Sequence, residues 1–134
     1  MPTLLNPYLH FPGTAREALD FYRSVFGGDL DVMTYGEMGM DGDQAAQVMH
    51  GQLTAPSLTL MASDGMPGEE LVRGNTSNLS LSGDDETELR GWFDRLADGG
   101  EVHVPLEKQV WGDVFGQCAD RFGVTWLVNI AQPG

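Results

Sequence analysis

Two stretches of this chain repeat one pattern of apolar and polar positions. In TAREALDFYRSVFGG (residues 14–28), Ala15, Ala18, Leu19, Tyr22, Val25 and Phe26 recur at i, i+3, i+4 and i+7, the spacing of one buried helix face. In ETELRGWFDRLADGG (residues 86–100), Leu89, Trp92, Phe93, Leu96 and Ala97 draw the same stripe. Thr14 and Glu17 spell a T-x-x-E capping box, and Asp85 stands where the second helix needs an N-cap. Both helices run into a glycine pair, Gly27-Gly28 and Gly99-Gly100, suited to a left-handed exit. At a constant offset of 72 residues Phe21 falls on Phe93, Arg23 on Arg95 and glycine on glycine. The pattern predicts an internal duplication.

Strand-like segments surround each helix. PTLLNPYLHF precedes the first, and DLDVMTYGEM, AAQVMHGQLT and PSLTLMAS follow it. NTSNLSLSG precedes the second, and EVHVPLEKQ, DVFGQCADR and VTWLVNI follow it. Turn signals separate them: GMDGDQ, the Pro56-Ser57 break, Trp111-Gly112, and Asp120 to Gly123. DGMPGEELVRG, rich in glycine and charge, reads as the linker. The expected fold is α+β: one domain over 1–134 made of two β-α-β-β-β modules, about 1–70 and 71–134, with curved mixed sheets enclosing a cleft.

Alternation assigns the strand faces. Leu79, Leu81, Trp126 and Val128 are expected on the helix side. The cleft side is then expected to carry Leu60, Asn78, Ser80, Leu127 and Asn129, with His50, Trp111 and Phe115 at its rim or wall.

Composition narrows the function. Hydrophobic residues make up 41% of the chain and charged residues 20%, as in a globular protein. The net charge of −13, from 7 Lys+Arg against 20 Asp+Glu, repels phosphate backbones and anionic lipid, so neither nucleic acid nor a membrane is an expected partner. It would favour a cationic guest. No apolar run approaches a membrane span, and MPTLLNPYLHF lacks the basic and apolar regions of a secretory leader. One cysteine, Cys118, allows neither an internal disulfide nor a cysteine-rich zinc site, and a cytoplasmic setting is expected. Cys118 itself reads as a small buried hydrophobe.

Four segments resemble the vicinal oxygen chelate superfamily, which includes glyoxalase I, bleomycin-resistance proteins and extradiol dioxygenases. They are PYLHFPGTAREALDFYRSVFGG, VMHGQL, LTLMASD and the closing VWGDVFGQCADRFGVTWLVNI. The details are most similar to its PhnB-like branch, the 3-demethylubiquinone-9 3-methyltransferase-like domains. No G-x-G-x-x-G follows a strand into a helix, so nothing in the pattern marks a Rossmann-type cofactor site.

The resemblance implies a divalent metal held by His, Gln or Glu on the first and last strands of each module, acting as a Lewis acid. Aligned without gaps through the helices, those positions fall near Pro7, Leu60, Asn78 and Leu127. Three lack a donor side chain and Asn78 is a poor transition-metal ligand, so no cofactor is expected and a divalent metal is disfavoured.

Among the histidines, His50 is the candidate for general base or ligand contact. His103 reads as solvated, and His10 as packed toward the helix or a dimer edge. Asp64 is either a catalytic candidate or a loop cap. Asp120 opens a turn and is accounted for by bonding its own backbone. Trp111, Phe115 and Trp126 are candidates for an apolar wall, although aromatics on strands more often fill the core.

These residues favour a metal-independent small-molecule-binding protein that forms a homodimer. The alternative is a glyoxalase- or dioxygenase-like lyase or oxidoreductase with a non-standard divalent site, built from His50 and Asp64. A metal-free enzyme using His50 as base stands beside both.

Overall fold

The computed structural model describes residues 3–65 and 70–133. The chain divides into two compact units, Met1–Val72 and Arg73–Gly134. The DGMPGEELVRG segment lies partly outside the described residues.

In the first unit, β1 (Tyr8–Phe11), α1 (Ala15–Phe26), β2 (Asp29–Thr34), a single 3-10 turn (Gly36–Met38), β3 (Val48–Thr54) and β4 (Thr59–Asp64) follow in order. The second unit runs β5 (Leu79–Gly83), α2 (Glu86–Ala97), β6 (Glu101–Lys108), β7 (Val114–Ala119) and β8 (Thr125–Ile130). The sheets have the orders β1-β4-β3-β2 and β5-β8-β7-β6. The first and last strands of each unit pair in parallel and the other neighbours antiparallel. Each unit is therefore a β-α-β-β-β module, as the repeat predicts.

The helix stripes explain how each sheet acquires a covered face. α1 buries Ala15, Ala18, Leu19, Tyr22, Val25 and Phe26, the six residues of the stripe. It lies so close to β3 that a Cβ on Gly51 would run into the Leu19 side chain. Gly51 pairs with Ala62 and Leu53 with Leu60, so these residues share the α1 side with the fully buried Phe11. α2 buries Leu89, Phe93 and Leu96, while Trp92 and Ala97 are only half-buried. Its Phe93 ring lies over Gly116 of β7. Trp126, Val128 and Ile130 of β8 are buried on that side, each side chain contributing about 2 kcal/mol through its removal from water.

The two helix starts differ. Asp85 has an extended backbone, and its carboxylate accepts the Glu88 N–H at 3.1 Å. Thr14 has φ −112° and ψ 14° and makes no side-chain cap bond, so the expected capping box with Glu17 does not form. Instead Asp64 at the end of β4 accepts the Ala15 N–H at 2.9 Å through Oδ1. Asp85→Ala is therefore expected to cost about 1 kcal/mol. Thr14→Ala should change stability by less than about 0.5 kcal/mol. Urea unfolding of the two variants checks the contrast, and equal losses would contradict the capping assignment.

Candidate functional site

Each sheet has a second face turned from its helix, and the candidate residues divide between them. On the first sheet, Leu9 and Phe11 point to α1, so alternation turns Tyr8 and His10 the other way. His10 is therefore on the open face and does not pack toward the helix. His50 of β3 joins them. Its Nδ1 lies 3.0 Å from the Tyr8 hydroxyl, and the Tyr8 ring centroid is 5.2 Å from that of His10 and 5.5 Å from that of His50. Met33 is the cross-strand neighbour of His50, and Met61 that of Tyr8.

Leu60 is not on this face. It is 2% exposed and faces α1 opposite Leu53. This corrects the expectation that it lines the cleft side, and its neighbour Met61 takes the open position.

Asp64 is occupied by structure. It is 2% exposed, and besides capping α1 it accepts the Val48 N–H at 2.8 Å through Oδ2. Its carbonyl accepts from the Tyr35 and Ser63 hydroxyls. With both carboxylate oxygens bound to backbone donors, Asp64 holds α1, β3 and β4 together and has no oxygen directed to chemistry.

The open face of the second sheet gathers the other candidates. The pairings Ser80–Leu127, Ser82–Asn129, Phe115–Asn129 and Gln117–Leu127 put these side chains on one side. Asn78 Oδ1 accepts from Gln117 Nε2 at 3.3 Å. Asn129 Nδ2 donates to Asp113 Oδ2 at 3.0 Å. The turn between β6 and β7, closed by Gln109 N–H to the Asp113 carbonyl at 2.8 Å, carries Trp111. The Trp111 indole meets Phe115 edge-on at 5.9 Å and is 59% exposed. Glu107, the cross-strand neighbour of Phe115, adds a carboxylate. Asn78, Ser80, Trp111, Phe115, Leu127 and Asn129 thus share a surface, with Gln117, Asp113 and Glu107 among them. Sequence reasoning missed those three. Alternation along β7 could have revealed Gln117, two residues from Phe115.

The remaining polar candidates serve the fold. Asp120 is buried; Oδ1 accepts the Phe122 and Val124 N–H groups, and Oδ2 accepts the Trp126 indole N–H at 2.9 Å. Cys118 is fully buried. Burial first, then the nearby Asp120 charge, pushes its thiol up to about 11, so it stays protonated and unreactive at neutral pH. His103 is exposed, 3.7 Å from Glu101.

Donor chemistry at the four positions implied for a metal is poor. Pro7 and Leu60 supply no side-chain donor, Leu127 is apolar, and Asn78 Oδ1 already accepts from Gln117. Among the described residues, no three His, Cys, Asp or Glu side chains form a group that could hold a metal ion. None of the described helices is long and apolar enough to cross a membrane.

A family model described as the Glyoxalase/Bleomycin resistance protein/Dioxygenase superfamily matches residues 5–128, and the chain belongs to that superfamily. It is similar to protein YjdN of Escherichia coli (strain K12), 29% identical over 142 residues that cover 96% of this chain and 95% of that protein. An uncharacterised protein of Mycobacterium tuberculosis (strain ATCC 25618 / H37Rv) is 32% identical over 138 residues, 96% of this chain and 74% of the other. Among solved structures, protein PA1353 from Pseudomonas aeruginosa superposes with a TM-score of 0.88 at 37% identity, over 98% of this chain and 100% of that one. A Bacillus cereus PhnB protein, given the working name 3-demethylubiquinone-9 3-methyltransferase, superposes with a TM-score of 0.79 at 25% identity, over 96% of this chain and 100% of the other.

Proposed function

We propose that this member of the superfamily binds a small organic molecule without a metal, on the open face of the second sheet. The observation that carries the reading is Trp111, held edge-on against Phe115 while 59% of it stays exposed. An indole kept in water but fixed by a neighbouring ring is a ready stacking surface. Around it, Asn78, Gln117 and Asn129 supply amides, a mixture of apolar wall and few polar groups that suits an organic ligand. Glu107, Asp113 and the net charge of −13 favour a cationic guest, which the Trp111 ring would also attract through its face. The poor donor set at the implied metal positions supports binding without a metal.

The same reading includes a homodimer, the commonest way for one surface to pair with itself. It also places the protein in the cytoplasm, where a single free thiol is an ordinary component.

A planar organic cation, N-methylacridinium, tests the site in buffer containing EDTA. Tryptophan quenching should report saturable binding that neutral acridine matches only weakly. Trp111→Ala should weaken that binding about tenfold, a loss of about 1.4 kcal/mol, with the melting temperature unchanged. Binding that needs added zinc, nickel or iron, or that survives Trp111→Ala, would refute the reading.

A further inference from the structure

The open face of the first sheet carries a separate chemical arrangement, the contact between the Tyr8 hydroxyl and His50 Nδ1 at 3.0 Å. A neutral imidazole and a phenol bring two protons to this pair, and only one of them lies between the rings. When Nδ1–H donates to the Tyr8 oxygen, the Tyr8 O–H is directed elsewhere and Nε2 keeps its lone pair. The pair then presents a base and a hydrogen-bond donor side by side. Among the described residues no other hydrogen bond reaches the His50 side chain. Tyr8 is 42% exposed and His50 half-buried, so a ligand can approach both. The Tyr8 ring is tilted 37° from that of His10 and 39° from that of His50, and Met33 and Met61 on the neighbouring strands add apolar surface beside the three rings.

We infer that Tyr8 and His50 form a metal-free proton-transfer site for a planar carbon acid, a molecule whose C–H electrons pass to an electronegative atom. His50 Nε2 accepts the proton, and the Tyr8 O–H donates to the oxygen where negative charge develops. The step is redox-neutral and uses no co-reactant. It belongs to the first unit, so it stands or falls independently of the Trp111 surface.

The probe is 5-nitrobenzisoxazole. His50 Nε2 takes its ring C–H proton, the C–H electron pair becomes the nitrile π bond, and the N–O bond breaks. The departing electron pair forms a phenolate, read by its absorbance, and the imidazolium returns its proton to water. The wild-type protein is expected to exceed His50→Ala by about 100-fold in kcat/KM, the usual scale of general-base catalysis. Tyr8→Phe should lower kcat about tenfold through loss of the donor to the developing oxyanion. His103→Ala, on an exposed strand of the other unit, should keep the wild-type rate. Should His50→Ala fail to fold, His50→Gln keeps a polar side chain of similar length and is expected to be as slow. A His50 variant as fast as the wild type, or an equal loss in His103→Ala, would overturn the assignment.

Discussion

Asp64→Ala is expected to lower the stability of the protein by about 3 kcal/mol or more, through two buried donors left without partners. The carboxylate is 2% exposed. One oxygen takes the Ala15 N–H at the start of α1 and the other the Val48 N–H at the start of β3. Alanine removes both acceptors at once, beside the fully buried Phe11 that pairs with it across the strands. Asp64→Asn keeps one acceptor but turns an amide donor toward the second N–H, so an intermediate loss is expected. Urea unfolding gives the energies, and hydrogen exchange at Ala15 and Val48 should accelerate in both variants. An alanine variant within about 0.5 kcal/mol of wild type, the range of an ordinary surface change, would show that Asp64 is not a structural clamp.

The Asp64 clamp also shows why the site was less legible than the fold. Helix stripes, glycine exits and strand alternation are local signals, and they placed α1, α2 and the strand segments from residues within a few positions of one another. Asp64 and Ala15 are 49 residues apart, and Tyr8 and His50 are 42 apart. No local pattern announces such pairs. Thr14 and Glu17 offered a local cap that the long-range carboxylate displaced.

Leu60 illustrates a different difficulty. The offset of 72 that matches the helices becomes 66 between Thr59 of β4 and Thr125 of β8, because the connections after the helices differ in length. Leu60 then corresponds to Trp126 on the helix side, and Met61 to Leu127 on the open face. A one-residue slip reverses every side chain of a strand, so an alignment carried through the helices could not assign β4. The second sheet escaped this problem, since the alternation of NLSLS and TWLVNI fixes its faces without reference to the first unit.

The second of the duplicated glycine pairs divides two tasks, and replacing its second glycine should be the more damaging change. Gly27 and Gly99 have φ of +74° and +80°, the left-handed backbone that turns the chain out of each helix. Gly100 is needed for a close approach, and Gly28, itself at φ +99°, meets both demands. A Cβ on Gly28 would overlap the carbonyl oxygen of Thr54, the last residue of β3, and one on Gly100 that of Ala119, the last residue of β7. Ala119 cannot readily withdraw, because it is paired with Glu101 of β6 and Thr125 of β8. Gly100→Ala should therefore cost about 3 kcal/mol, at the upper end of overpacking losses. Gly99→Ala meets only the flexible Arg121 side chain and should cost about 1 kcal/mol for its left-handed backbone. Denaturant unfolding of the two variants separates the tasks. If Gly99→Ala proved the worse of the pair, the turn and not the strand contact would be what the repeated glycines supply.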